Sequence, residues 1–256
     1  MLTQRAIPCL LISDGGLVKT VGFKPGKYVG DPINAVKIFN EKEVDELVFL
    51  DIDASRQNRE PDYELIEQIA SECFSPIAYG GGIRTFEQAV RIIRSGVEKV
   101  VLNSVLFDQP EVLTHISQHF GAQSAVAVLN IKRDWRGRYR IYDSCRNKTL
   151  DHNITEYARQ LERLGAGELM LSDVDRDGTM QGYDLALIQQ IVNAVSIPVI
   201  ACGGAGKLAD LRSATQDGGA AAVAVGSLFV FYGRHRAVLI NYPEYRELQS
   251  LFKDQI

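Results

Sequence analysis

The chain has 256 residues, 46% of them apolar and 23% charged, an ordinary composition for a protein able to bury a large core. Its formal net charge of −4 argues against nucleic acid as the main partner, because a phosphate backbone is met by a clustered basic face. The opening MLTQRAIPCLLI has too short an apolar run for a secretory signal, and no run is long enough to span a bilayer. A cytoplasmic protein without membrane contact is therefore expected.

In chain order, eight apolar runs alternate with amphipathic stretches: AIPCLLI, ELVFLDI, PIAYG, KVVLN, SAVAVLN, ELMLSD, PVIACG and AAVAVG. The runs are continuous rather than alternating, as in a parallel sheet covered on its outer face. Stretches such as DYELIEQIASEC and TFEQAVRIIRSG carry the helical period. Eight such units predict an α/β fold, a single (β/α)8 TIM barrel over residues 1–256. Two connections are longer than the rhythm requires. Asp14–Asp31 is a Gly-rich link after strand one, and Lys132–Asp151 after strand five is expected to form a hairpin turning at Asp134–Gly137. Long connections at strand ends of a compact barrel usually serve as lids or binding loops. Cys9, Cys73, Cys145 and Cys202 lack CxxC spacing and are expected to be reduced thiols. His115 and His119 have i, i+4 spacing but no carboxylate base between them, so a solvated helix face is expected rather than a metal pair. No metal and no cofactor are called for.

The second half of the chain repeats the first. At an offset of 122 residues, Glu46–Phe107 overlies Glu168–Phe229 without a gap, and 16 of the 62 aligned positions are identical. Asp51 and Asp53 overlie Asp173 and Asp175, Asp62 overlies Asp184, and Gly81-Gly82 overlie Gly203-Gly204. So long a period indicates two duplicated half-barrels, about residues 1–122 and 123–240, rather than a solenoid.

In such barrels the working face is the C-terminal end of the strands. The residues expected there are Leu11, Ser13, Asp14, Asp51, Asp53, Gly80–Gly82, Asn103, Ser104, Asn130, Ser172, Asp173, Asp175, Cys202–Gly204, Gly226 and Ser227. After strand three the chain reads Gly80-Gly81-Gly82-Ile83-Arg84-Thr85 into a helix, and after strand seven it reads Gly204-Ala205-Gly206. Bare backbone N–H groups at such turns bind anions. With Asn103-Ser104 and Gly226-Ser227 completing them, the two turns predict a pair of phosphate cradles across one mouth, and hence a long, phosphorylated small-molecule substrate.

The order IPCL, GDP, DELVFLDI, GGGIRTFEQA, NS, DRDGTMQGYD and IPVIACGGAG resembles the HisF family, the cyclase subunits of imidazole glycerol phosphate synthase, over about residues 2–231. The resemblance implies a barrel that docks a glutamine amidotransferase (HisH-like) on its N-terminal face and receives ammonia through its centre. At the other face the family joins ammonia to a phosphoribulosyl-aminoimidazole carboxamide ribotide, releasing imidazole glycerol phosphate and an aminoimidazole ribotide. Position by position, the family's ammonia gate falls on Arg5, Glu46, Lys99 and Glu168. Its phosphate positions fall on Gly81, Gly82, Asn103, Ser104, Asp177, Gly178, Gly203, Gly204 and Ser227. Its substrate-closing lysine falls on Lys19, with Cys9 and Asp51 on neighbouring strands.

The two carboxylates that act as general acid and base in the family do not carry over: Leu11 and Asn130 stand there. Neither moves a proton usefully at neutral pH, and each lost group is typically worth roughly 10²–10⁴-fold in rate. Ser13 and Asp14 are not obvious substitutes. Asp173 replaces a small polar residue of the family motif and Cys202 a serine, so Lys19, Asp51, Ser172 and Asp173 remain the candidates for chemistry here. The departures resemble HisF paralogues found with a glutaminase-like partner in bacterial surface-polysaccharide clusters. That likeness implies ammonia supply for turning an N-acetyl sugar into an acetamidino sugar, a separate sugar amidotransferase doing the final step. A histidine-pathway cyclase with relocated acid–base groups, and a non-catalytic scaffold that channels ammonia, are the alternatives.

Overall fold

Strands made of continuous β-branched and small apolar residues need cover on both faces, and here they obtain it by closing on themselves inside a ring of helices. The structure, a computed structural model, describes residues 4–253, so the ends of the expected 1–256 domain lie outside it. The barrel strands are β1 (Arg5–Ser13), β2 (Leu47–Asp51), β3 (Ile77–Gly80), β4 (Lys99–Leu102), β5 (Ala125–Arg133), β6 (Glu168–Asp173), β7 (Val199–Cys202) and β8 (Ala222–Val225). Each pairs in parallel with the next, and β8 returns to β1, so the barrel is closed as the sequence predicts. Between consecutive strands lie α1 (Pro32–Glu41), α2 (Tyr63–Glu72), α3 (Phe86–Arg94), α4 (Glu111–Phe120), α5 (Ile154–Arg163), α6 (Leu185–Val192) and α7 (Leu208–Arg212). A last helix, α8 (Tyr245–Phe252), follows β8, and ahead of it the Tyr242 hydroxyl donates to the Ala6 carbonyl at 2.9 Å.

Residues that the 122-residue offset aligns do the same local work. Asp62 caps α2 by accepting from the Leu65 N–H, and Asp184 caps α6 by accepting from the Leu187 N–H. Gly81 and Gly203 have φ of +121° and +96°. A Cβ at Gly81 would lie 2.3 Å from the Asp51 carbonyl oxygen, and one at Gly203 would lie 2.6 Å from that of Asp173. Both turns therefore require glycine for the same two reasons.

Alternation along the strands fixes what faces the axis. The inner layer includes Ile7 and Cys9, Val48, Ala78, Val101, Val128, Met170 and Ala224. Two residues further up, the same parity brings Leu11, Leu50, Asn103, Asn130 and Ser172 to the mouth. Two residues down from the lowest of the layer, it brings Arg5, Glu46, Lys99 and Glu168 to the axis.

The 14–31 connection is more ordered than a Gly-rich link. Gly16–Lys19 and Lys27–Gly30 form an antiparallel hairpin, and its first strand continues the sheet from the end of β1. Leu17, Val18 and Val29 are buried there, an apolar set too short to stand out among the glycines. The second hairpin follows the expectation: β5 runs on past the barrel and pairs with Tyr139–Asp143, and the Gly137 N–H donates to the Asp134 carbonyl at 2.8 Å. A third strand, Lys148–Leu150, extends it. His115 and His119 set their rings edge-on against Phe86, a packing contact. The four cysteines are free thiols. Among the described residues no helix is long and apolar enough to cross a membrane.

Candidate active site

At the N-terminal end of the barrel, four charges meet on the axis. Glu46 and Glu168 are nearly fully buried, and each carboxylate oxygen has its own cation. Lys99 Nζ lies 2.9 Å from Glu46 Oε1 and 2.9 Å from Glu168 Oε2, while the Arg5 guanidinium contacts the other oxygen of each. Burial opposes the Arg5 charge, but Glu168 and Glu46 more than offset it and raise its pKa above the usual value. The ring is closed, alternating and neutral, the condition under which buried charge is tolerated.

At the opposite end one cavity gathers most of the residues expected at the mouth, though neither Asp53 nor Asp175 lines it. Leu11, Lys19, Asp51, Gly81, Gly82, Asn103, Ser104, Asn130, Ser172, Asp177, Gly178, Gly203, Gly204, Gly226 and Ser227 all line it. Asp173 does not. It is one residue out of phase with Ser172, its carboxylate accepts from the Asp175 and Arg176 N–H groups at 3.0 and 3.3 Å, and burial raises its pKa to about 6. Asp51 has the same outward parity and the same role: it accepts from the Asp53 and Ala54 N–H groups and pairs with Arg59 at 3.1 Å. Asp51 therefore reaches the cavity wall with its carboxylate already engaged. Ser13 and Asp14 stand outside the cavity, Ser13 donating to Asp53 at 2.6 Å and Asp14 lying in the turn after β1.

The floor is uncharged at Leu11 and Asn130. Leu11 and Leu50 are register partners on β1 and β2. Across the barrel, Asn130 Nδ2 donates to Asn103 Oδ1 at 3.2 Å, and Asn103 Nδ2 donates to the Val128 carbonyl at 2.8 Å. Lys19, Cys9 and Cys202 cluster on the β1–β7 side. Lys19 is buried, donates to the Cys9 carbonyl, and has its pKa lowered by that burial. The Cys202 thiol packs against the inner layer that includes Cys9, and the neighbouring thiol and desolvation raise its pKa. Asp177 accepts from Thr20 Oγ1 at 2.6 Å and from the Phe23 N–H, which docks the first hairpin onto the DRDGT loop; burial raises its pKa.

Several cavity residues escape a strand-end reading. Ser55 Oγ accepts from the Gly82 N–H at 3.1 Å, occupying one donor of the first glycine turn. Its signal was available, because Ser55 overlies Asp177 at the 122-residue offset. Arg56 and Phe23 also line the wall, as do Ser144 and Cys145 from the second hairpin. Cys145 Sγ lies 3.1 Å from Ser104 Oγ, a contact that no local pattern announces.

A closed barrel whose strand ends converge on one cavity has the build of a (β/α)8 enzyme. Residues 5–236 match the histidine biosynthesis protein family. A Pseudomonas aeruginosa protein provisionally named imidazole glycerol phosphate synthase subunit hisF2 is 51% identical over 248 residues, covering 97% of this chain and 99% of its own. A Leptospira interrogans protein with the provisional name imidazole glycerol phosphate synthase subunit HisF is 45% identical, covering 98% of this chain and 100% of its own. The imidazole glycerol phosphate synthase subunit HisF of Alkaliphilus metalliredigens is 41% identical, covering 90% of this chain and 91% of its own. The chain belongs to the HisF family of imidazole glycerol phosphate synthase subunits.

Proposed function

We propose that this protein is the ammonia-receiving subunit of a glutamine-dependent synthase, with a glutaminase docked on the N-terminal face and a phosphorylated substrate held at the opposite mouth. One observation carries the reading: a neutral charge ring closes one end of the axis, while the floor of the cavity at the other end, at Leu11 and Asn130, holds no acid–base pair. The ring acts as the gate, through Arg5, Glu46, Lys99 and Glu168. Beyond it the apolar inner layer favours neutral ammonia over ammonium, because desolvation penalises the charged form. The backbone N–H groups around Gly81-Gly82 and Gly203-Gly204 hold the phosphates, with Asn103, Ser104, Gly178, Gly226 and Ser227 completing the two cradles. Lys19 closes over the substrate.

With Leu11 and Asn130 in place of proton-transfer groups, the reaction served is one other than imidazole ring closure. The paralogue likeness supplies it: ammonia for making an amidine from an N-acetyl sugar of surface polysaccharide, completed by a separate sugar amidotransferase. The test is the purified complex with its glutaminase. Stimulated glutaminase activity is expected, with no ammonia-dependent turnover of the aminoimidazole ribotide precursor and no rescue of a histidine auxotroph lacking its cyclase. Rescue would instead establish the histidine-pathway reading, which the lowered pKa of Lys19 favours as a relocated base.

A further inference from the structure

Between the two glycine turns the cavity floor has a polarity that runs across the barrel. On one side Leu11 and Leu50 present contiguous apolar surface. On the far side stands Asn130, only 6% exposed. Its amide is oriented by a relay. Asn103 Nδ2 is committed to the Val128 carbonyl, so Asn103 Oδ1 takes the Asn130 Nδ2 proton, and Asn130 Oδ1 remains a cavity-facing acceptor without a donor among the described residues. The carboxylates at the wall are held to the loops, Asp51 by Arg59 and backbone N–H groups, Asp177 through its Oδ2 by Thr20 and the Phe23 N–H. Lys19 and Arg56 line the same cavity with no ion pair among the described residues.

We propose that this floor selects the uncharged centre of a phosphorylated sugar-type ligand: a hydroxyl or amide N–H donated to Asn130 Oδ1, an apolar edge against Leu11 and Leu50, and no ammonium group. The assignment rests on the glycine turns being anion cradles. An ammonium in the middle of the cavity would lose its water against leucine, face Lys19, and find no carboxylate on the floor between Leu11 and Asn130. A neutral donor exchanges its bond to water for one to Asn130 and incurs no such penalty. Carboxylates at the floor would invert the preference by supplying the missing counter-charge.

The test uses the full chain and four probes titrated by calorimetry: inorganic phosphate, glucose 6-phosphate, N-acetylglucosamine 6-phosphate and glucosamine 6-phosphate, in buffer acidic enough to protonate the amine. The hydroxyl and N-acetyl forms are expected to bind at least about tenfold more tightly than the amine. In Asn130→Asp that advantage is expected to vanish or reverse. Amine binding as tight as that of the neutral forms overturns the inference while leaving the cradles standing. A preference unchanged in Asn130→Asp overturns the assignment to that residue. No binding by any probe, inorganic phosphate included, overturns the inference together with the cradles beneath it.

Discussion

The two ends of the barrel axis treat inward-facing side chains in opposite ways. At the lower end, four strands send charged groups to the axis, and every carboxylate oxygen there meets a cation. At the upper end the same strand parity presents Leu11, Leu50, Asn103, Asn130 and Ser172, and the carboxylates nearby are turned into loop backbone. The contrast shows that an inward charge persists in this barrel only where its complement is sent to the axis by another strand. Where no complement stands, the position is apolar or an amide.

The largest effect should come from reversing the upper end. Leu11→Asp combined with Asn130→Asp restores a carboxylate pair, and each well-placed acid or base is worth roughly 10²–10⁴-fold. Ammonia-dependent cyclisation of the aminoimidazole ribotide precursor should become measurable in the purified double variant. If it stays at background, the rest of the cavity has been reshaped as well. At the lower end, Glu46→Ala leaves Arg5 and Lys99 sharing one carboxylate and should cost about 3–5 kcal/mol in urea unfolding. Asn130→Ala should cost about 1 kcal/mol. Equal costs would erase the contrast between the ends.

A smaller effect belongs to Asp173. Its pKa in the folded protein is raised to about 6 from the ordinary 3.8, so the protonated form is the one folding favours. The stability it contributes is present below pH 3.8 and is lost as pH rises through about 6. Asp173→Asn should remove that slope and gain roughly 2 kcal/mol at pH 7, read as unfolding midpoints across the pH range. A variant no more stable than the parent at pH 7 would contradict this. The smallest effect concerns docking at the lower face. Phe74, 87% exposed in the link between α2 and β3, should anchor the glutaminase, and Phe74→Ala should weaken that complex by about 1 kcal/mol. Titration of the variant against the partner checks it.

Much of this was legible in the residues because the repeat preserves necessities. Gly81 and Gly203 recur because the same carbonyl crowds each of them, and Asp62 and Asp184 recur because each caps a helix. The four ring charges stand at or just before strand starts with common parity, so their convergence could be read before any coordinate. Asp173 was misplaced because it was set beside Ser172 at the mouth, and neighbouring residues of a strand point to opposite faces. Cys145 was missed because its approach to Ser104 spans 41 positions and depends on how the second hairpin folds back.

One further consequence lies in the lengths of β1 and β5. Each has nine residues where most other staves have four or five, and each overruns the rim to become the first arm of a hairpin. They stand opposite one another, and they carry Leu11 and Asn130. No joint separates handle from stave, so torque applied to either hairpin tip twists the strand that sets the floor. A partner gripping both tips would hold the barrel as a hand holds tongs, and the gap between Leu11 and Asn130 would follow its grasp.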